Sequence, residues 1–140
     1  MKDEVIDSIT SKLETWEYDE SDIEEASEIF ERYIEANDEI VEYIVTDASD
    51  SAPNRYDDPA LDVFFLTKTN VFLVIYNSEL SRYSSNTIDA INSVDIEITS
   101  QRIELSVYCD NGRIEAASYD EEQFEAIRAF GLNIDRMIKD

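Results

Sequence analysis

Histidine is absent from this 140-residue chain, and Cys109 is its only cysteine. Without imidazole or a second thiol, the chain can form neither an internal disulfide nor a Cys/His zinc site, and it lacks the residues of Ser-His-Asp and Cys-His catalysis. Its two glycines, Gly112 and Gly131, are too few for a glycine-rich phosphate-binding loop. These absences predict a protein that is not an enzyme and that holds neither a metal ion nor a cofactor.

Long apolar runs are also missing, because no stretch reaches the roughly 18 residues that indicate a transmembrane helix. The opening segment, MKDEVIDSIT, carries acids where a secretory signal peptide would have a positive region and an apolar core. We expect a cytoplasmic protein without stable membrane association.

Lysine is scarce and carboxylates are abundant. The chain has 4 Lys and 7 Arg against 34 Asp and Glu, a formal net charge of −23. This composition resembles the bias of extreme halophiles, in which molar salt screens repulsion over a Debye length of about 3 Å and hydrated carboxylates keep proteins dissolved. We expect a protein of a halophilic organism or its virus, with K or Na ions loosely bound at the acidic surface. The same charge disfavours direct nucleic-acid binding.

The acids are concentrated near the start of the chain. Residues 1–60 hold 20 acids and 4 bases, whereas residues 61–140 hold 14 acids and 7 bases. In DESDIEEASEIFERYIEANDEIVEY, acids at helical spacing form a candidate partner-binding face: Glu24, Glu28, Glu31, Glu35, Asp38 and Glu42. On one unbroken helix this row would be about 27 Å long. It is interpreted as the solvated side of a helix, as a docking face for a basic protein, or as a mimic of a nucleic-acid backbone.

Hydrophobic spacing predicts a helical element over residues 1–46. Apolar residues at intervals of three and four mark one face of a first helix, and Ser21 with Glu24 fits a capping box at the start of a second. Around residues 40–45 either a third short helix or a strand would follow, because β-branched residues are frequent there.

The remaining chain predicts an antiparallel β domain. Residues 47–60 contain both prolines and are typical of a polar linker. Strands are expected at residues 61–67, 71–76, 94–98, 103–108 and 113–118, with a sixth near 82–84. A C-terminal amphipathic helix follows, capped by Ser118 or Asp120, and close packing would explain Gly131 inside it. The predicted fold class is α+β, with N-terminal helices followed by the β domain at residues 61–140.

Three segments resemble prokaryotic PH-like domains of the GRAM type over about residues 61–139. They are VFFLTKTNVFLVIY, TIDAINSVDIEI and IELSVYCDNGRIEAASYDEEQFEAIRAF. The resemblance implies a curved antiparallel sheet or partly open barrel with a C-terminal capping helix, and binding of proteins or lipid headgroups rather than catalysis. Lipid-binding relatives of that family carry several basic residues around the first hairpin. Here that turn offers only Lys68, so no lipid-contact residue is assigned.

Together these patterns predict a non-enzymatic binding or adaptor module that engages a protein partner, with a basic protein as one candidate. The expected surfaces are the acidic helix face and the exposed edge of the hairpin at residues 61–76. A nucleic-acid mimic that inhibits a DNA-binding protein and a lipid-headgroup module are the alternatives. The apolar face of the first helix also offers a homodimer interface through Val5, Ile9, Leu13 and Trp16.

Overall fold

The computed structural model describes residues 2–37, 39–53, 55–56 and 58–140. Its elements are α1 (Lys2–Thr15), α2 (Glu20–Ala36), β1 (Glu42–Asp47), α3 (Ala48–Ser51), β2 (Leu61–Leu66), β3 (Asn70–Tyr76), β4 (Ser81–Thr87), β5 (Ile91–Ile98), β6 (Ile103–Cys109), β7 (Gly112–Ser118) and α4 (Glu121–Lys139). A 3-10 turn, Ile88–Ala90, joins β4 to β5. The α+β class is confirmed, with N-terminal helices, antiparallel sheets and a final helix in the expected order.

The seven strands form two antiparallel sheets, which no strand pairing closes into a barrel within the described ranges. The first sheet has the order β1-β2-β3-β4 and the second the order β5-β6-β7. Both faces of β2 and β3 are buried, which explains their nearly continuous apolar sequences, LDVFFL and NVFLVIY. The prediction of an exposed edge on the hairpin at residues 61–76 is wrong, because β1 and β4 cover both sides of that hairpin.

The helices α1 and α2 cover one face of the first sheet. The side chains that meet there are fully buried: Val5, Ile9, Leu13, Ala26, Phe30, Leu61, Val63, Phe65, Phe72 and Val74. Hydrophobic burial of this extent holds the amphipathic helices on the sheet. A homodimer through the apolar face of α1 would therefore require the helix to leave its own sheet.

The opposite face of the first sheet meets the second sheet and α4. Phe64 of β2 packs edge-on against Phe130 of α4, with 6.3 Å between the ring centroids. At Gly131, α4 packs tightly against β6, because a Cβ at this position would lie 2.7 Å from Leu105 Cδ1. Close packing as the reason for this glycine is thus confirmed.

The helical prediction for residues 1–46 is wrong at its end, and the alternative of a strand is correct. Helix α2 stops at Ala36, and β1 pairs with β2 from Glu42↔Leu66 to Asp47↔Leu61. The central residues of β1, YIVT, are aromatic or β-branched and fit the pleated surface of a sheet. The N-terminal part of the chain therefore supplies an edge strand as well as the two helices.

The capping residues predicted from the sequence are only partly correct. Helix α2 begins at Glu20 with Asp19 as its N-cap, so Ser21 lies inside the first turn and is not the cap. At α4, Asp120 is the cap, and its carboxylate accepts a hydrogen bond from the Glu122 amide at 3.0 Å. The segment expected to be a linker contains the one-turn helix α3, and Ala48 and Ala60 within it are buried.

Candidate functional site

The carboxylates of the predicted acidic face do not form one continuous row. Four of them are exposed on α2, as helical spacing predicts: Glu24, Glu28, Glu31 and Glu35. From Glu24 to Glu35 this row spans about 17 Å along the helix axis. It goes no further on α2, because the helix ends at Ala36. Asp38 lies outside the described residues. Glu42 belongs to β1, where its carboxylate accepts a hydrogen bond from the Asn133 amide of α4.

Two of the four carboxylates on α2 are paired with α1. Lys2 Nζ lies 3.1 Å from Glu35 Oε1 and 3.4 Å from Glu31 Oε1. The hydrogen bonds to Glu35 and Glu31 raise the pKa of Lys2 above its ordinary value. B-DNA carries one charge per about 1.7 Å of axis, far more densely than the carboxylates of this helix. A nucleic-acid mimic would therefore need acids from several other elements.

A cleft of about 320 Å³ lies between the first sheet and the start of β7. Three of the chain's seven arginines line it: Arg55, Arg82 and Arg113. They come from the segment after α3, from β4 and from β7, respectively. Apolar side chains of Leu73, Ile75 and Ile114 also line the cleft. A concave surface with apolar walls and a few converging polar groups is the usual form of a ligand site.

Strand register brings the polar residues of the first sheet into this cleft. Asp62 of β2 pairs with Ile75 of β3, and Ile75 pairs with Arg82 of β4. Residues in one cross-strand row point to the same face, so all three side chains project towards the cleft. From typical antiparallel spacings, the Cα atoms of Asp62 and Arg82 are about 10 Å apart.

Asp62 is a buried carboxyl in the cleft, with 5% of its surface exposed. The Ser51 hydroxyl donates a hydrogen bond to Asp62 Oδ2 at 3.2 Å. Burial raises the pKa of Asp62 to about 7, an effect that the Ser51 hydrogen bond and Arg55 oppose and Asp47 reinforces. Near neutral pH this carboxyl therefore exists in both forms, and only the protonated form can donate a hydrogen bond to a bound group.

Two of the three arginines have neighbouring side chains that orient them. Arg113 Nη2 lies 2.7 Å from Glu115 Oε1, and its guanidinium carbon lies 5.9 Å from the Tyr108 ring centroid. The guanidinium carbon of Arg55 lies 5.7 Å from the Tyr56 ring centroid. Among the described residues, Asp62 and Glu115 are the carboxylates in the lining, so the described lining has a net charge of about +1 with Asp62 ionised and +2 with Asp62 protonated. On a chain of net charge −23 this is a local reversal of sign.

Sequence reasoning missed this cleft because its residues lie far apart in the chain and meet only through strand register. One signal was available at Asp62. It is an acid inside the apolar run LDVFFL, where every neighbouring residue of the strand is buried. A buried carboxyl is uncommon unless it is paired or functional, so its position marks a site.

In the part of the chain that the structure describes, no helix is long and apolar enough to cross a membrane. No group of three or more Cys, Asp or Glu side chains in these ranges is arranged to hold a metal ion. Comparisons of the whole chain with protein-family models, with curated proteins and with solved structures found no match.

Proposed function

We propose that the protein is a non-enzymatic binding module whose arginine-lined cleft holds an anionic group, a phosphate or a carboxylate, of its partner. The observation that supports this most strongly is the convergence of Arg55, Arg82 and Arg113 on one cleft in a chain with 34 carboxylates. Guanidinium groups around one cavity repel one another, and an anion between them relieves that repulsion. Their planar forks also match phosphate and carboxylate oxygens in bidentate geometry.

The size of the cleft limits the ligand. At about 320 Å³ it is near the lower end of small-molecule sites. It would hold one phosphate or carboxylate with a short apolar neighbour resting on Leu73 and Ile75. Protonated Asp62 would donate a hydrogen bond to the anion, whereas ionised Asp62 would repel it.

Among sources of such an anion, we favour a phosphorylated or acidic residue of a protein partner. An anionic bilayer is a large negative surface, and a chain of net charge −23 is repelled from it at low ionic strength. A compact anionic residue on a protein meets much less repulsion. A lipid headgroup offers the same phosphate chemistry and is the alternative that the test must distinguish.

Two further expectations belong to this proposal. The order of a four-stranded sheet, a three-stranded sheet and a final helix agrees with the PH-like resemblance, and this agreement supports a binding role. A halophilic source and a cytoplasmic setting are supported by the acid excess and the scarcity of lysine. At molar salt the repulsion between this chain and an anionic partner is largely screened.

The test is a titration of ¹⁵N-labelled protein with inorganic phosphate and with a short phosphoserine peptide, in dilute buffer and in molar KCl. We expect shifts of the Ser51, Asp62, Arg82 and Arg113 amides, with weak affinity for free phosphate and tighter binding of the peptide. The double variant Arg82→Gln/Arg113→Gln should lower the affinity at least about tenfold, because two charge-assisted contacts are lost.

Arg128→Gln is the matched control, because Arg128 is on α4, pairs with Glu125 at 3.2 Å and does not line the cleft. Equal loss in the control and the double variant would sink the proposal, as would the absence of shifts at the cleft amides. If the protein floats with vesicles of anionic phospholipid but does not bind the peptide, the source of the anion is a lipid headgroup and not a protein partner.

A further inference from the structure

A separate groove of about 610 Å³ lies between α1 and α4, at the edge of the first sheet. The middle of β1 forms its floor. Glu4 and Asp7 of α1 line one side, and Gln123 and Ala126 of α4 line the other. No arginine of the cleft lines this groove. The two depressions are therefore independent surfaces of the molecule.

The floor of the groove is an edge strand with outward-facing backbone groups. Strand β1 is hydrogen-bonded to β2 on one side. Just after β1, the Ala48 amide donates a hydrogen bond to the Ala60 carbonyl at 2.9 Å. This pair continues the register between β1 and β2, so it shows which residues of β1 bond to β2. Since antiparallel residues alternate in the direction of their backbone groups, the even-numbered residues of β1 bond to β2 and the odd-numbered ones face away.

The outward groups on the floor belong to Tyr43 and Val45. Within the described residues, one hydrogen bond reaches them, from Gln123 Nε2 to the Val45 carbonyl at 2.9 Å. A side-chain amide here occupies the position that a donor of an added strand would take. Both residues are half-buried beside the buried Ile44, so a bound segment would find apolar contact as well as backbone groups.

The sides of the groove carry negative charge. Glu4 and Asp7 are exposed on α1. On α4, the exposed Glu122 lies one turn before Ala126, and therefore on the same side of the helix. Lys12 of α1 is the only basic residue that lines the groove among those described. A cationic segment is the occupant that complements this surface.

We infer that the groove beside β1 is a docking surface for an extended, basic segment of a partner protein, which adds to the edge of the first sheet as a further strand. Backbone hydrogen bonds to Tyr43 and Val45 hold the segment, and the Gln123 amide moves aside. Alternate side chains of an added strand point to opposite faces. One set, rich in Lys or Arg, reaches Glu4 and Asp7, while the other rests on the α4 side.

A second copy of this chain is a poor occupant of the groove. Its net charge is −23, so two copies repel each other at low ionic strength. Its other exposed edge in the same sheet, β4, has the sequence SRYSSNT with one basic residue. A basic partner gains attraction where a second copy meets repulsion. The inference concerns a different surface from the arginine-lined cleft and does not depend on the anion proposal.

The experiment uses synthetic peptides and the full chain. The first peptide alternates Lys and Val, the second replaces Lys by Glu, and the third has the sequence of the first with its backbone amides N-methylated. An N-methylated amide cannot donate a ladder hydrogen bond, so the third peptide separates strand addition from simple charge attraction. Binding is measured by fluorescence anisotropy, and hydrogen exchange is followed at the Tyr43 and Val45 amides.

The Lys-Val peptide should bind and slow exchange at both amides, while the N-methylated and Glu peptides should bind at least about tenfold more weakly. Glu4→Gln/Asp7→Gln should weaken binding. Glu24→Gln/Glu28→Gln removes the same charge from α2, outside the groove, and should have a much smaller effect.

Arg82→Gln/Arg113→Gln should leave peptide binding unchanged, which separates this inference from the anion proposal. Equal binding of the Lys-Val and N-methylated peptides, equal effects of the two acid variants, or unprotected Tyr43 and Val45 amides would overturn the inference.

Discussion

Asp62 of β2 and Arg82 of β4 lie in one cross-strand row, two strands apart, with Ile75 of β3 between them. A buried carboxyl and an exposed guanidinium thus share one face of the sheet without direct strand pairing. The apolar side chain between them, together with burial of Asp62, leaves the carboxyl without an ion pair strong enough to keep it ionised. This relationship gives the cleft a group that titrates near neutral pH.

Asp62→Asn should stabilise the folded protein at alkaline pH. The pKa of Asp62 is about 7 in the folded state against an ordinary value of 3.8, so the folded state binds the proton more tightly. Between these values the free energy of unfolding of the wild type falls as pH rises, by at most about 4 kcal/mol in total. Asparagine keeps an acceptor for Ser51 but has no such dependence. Chemical unfolding should show a larger gain at about pH 8 than at about pH 5.

Asp95→Asn is the control for this prediction, because Asp95 is exposed on β5 and loses the same charge. Its stability should change little, and without the pH dependence expected for Asp62→Asn. A gain from Asp62→Asn that is the same at both pH values would contradict an ionised carboxyl buried in the cleft.

Gly131→Ala should destabilise the protein although alanine favours helices. The substitution gains about 1 kcal/mol of helix propensity. The new Cβ, however, would lie 2.7 Å from Leu105 Cδ1 and 3.0 Å from Ile96 Cδ1. Overpacking of a closed core costs about 1–3 kcal/mol, so a net loss is expected. The midpoint of urea unfolding measures it.

Leu105→Val tests the cause of that loss, because valine lacks the δ-methyl group that the new Cβ meets. If the contact is responsible, the losses of Gly131→Ala and Leu105→Val will be less than additive in the double variant. Strict additivity would assign the loss to another origin.

Cys109 should react slowly with iodoacetamide in the folded protein. It is 9% exposed at the end of β6, and burial together with the neighbouring Asp110 raises the pKa of its thiol. Since the thiolate is the reactive form, labelling at neutral pH should be at least about tenfold slower than in the urea-unfolded chain. Mass spectrometry follows the reaction, and equal rates in the two states would refute a buried, protonated thiol.

Local pattern predicted most elements of this fold, and pairing between distant strands decided the rest. The strands at residues 61–66 and 70–76 were predictable because two short apolar runs rich in β-branched and aromatic residues flank a turn. Helix α4 was predictable because its apolar residues recur at helical spacing. Strand β1 was ambiguous, because a six-residue segment with three β-branched side chains fits a short helix or a strand. Pairing with β2 decides between them.

The candidate site was less predictable than the fold for the same reason. The spacing of Glu24, Glu28, Glu31 and Glu35 is a local property, so their common face on one helix could be predicted from the sequence. Arg55, Arg82 and Arg113 meet because β4 adds to β3 and β7 comes close to α3, and no local signal encodes these contacts. The polar segment at residues 47–60 was interpreted as a linker, although it supplies Ser51 and Arg55 to the cleft.

The acid excess leads to a prediction about salt. In dilute buffer the carboxylates repel one another and favour expanded states, whereas molar salt reduces the Debye length to about 3 Å and screens that repulsion. We expect the free energy of unfolding to rise by about 2–3 kcal/mol in molar KCl, which corresponds to a Tm increase of about 10 °C. Far-UV circular dichroism during heating measures it.

Glu24→Gln/Glu28→Gln removes two exposed carboxylates of α2 and should reduce the salt dependence, because less repulsion is left to screen. Equal folding and stability in dilute buffer and in molar KCl would show that the carboxylates are not an adaptation to salt, and the acid excess of residues 1–60 would then need a partner to explain it.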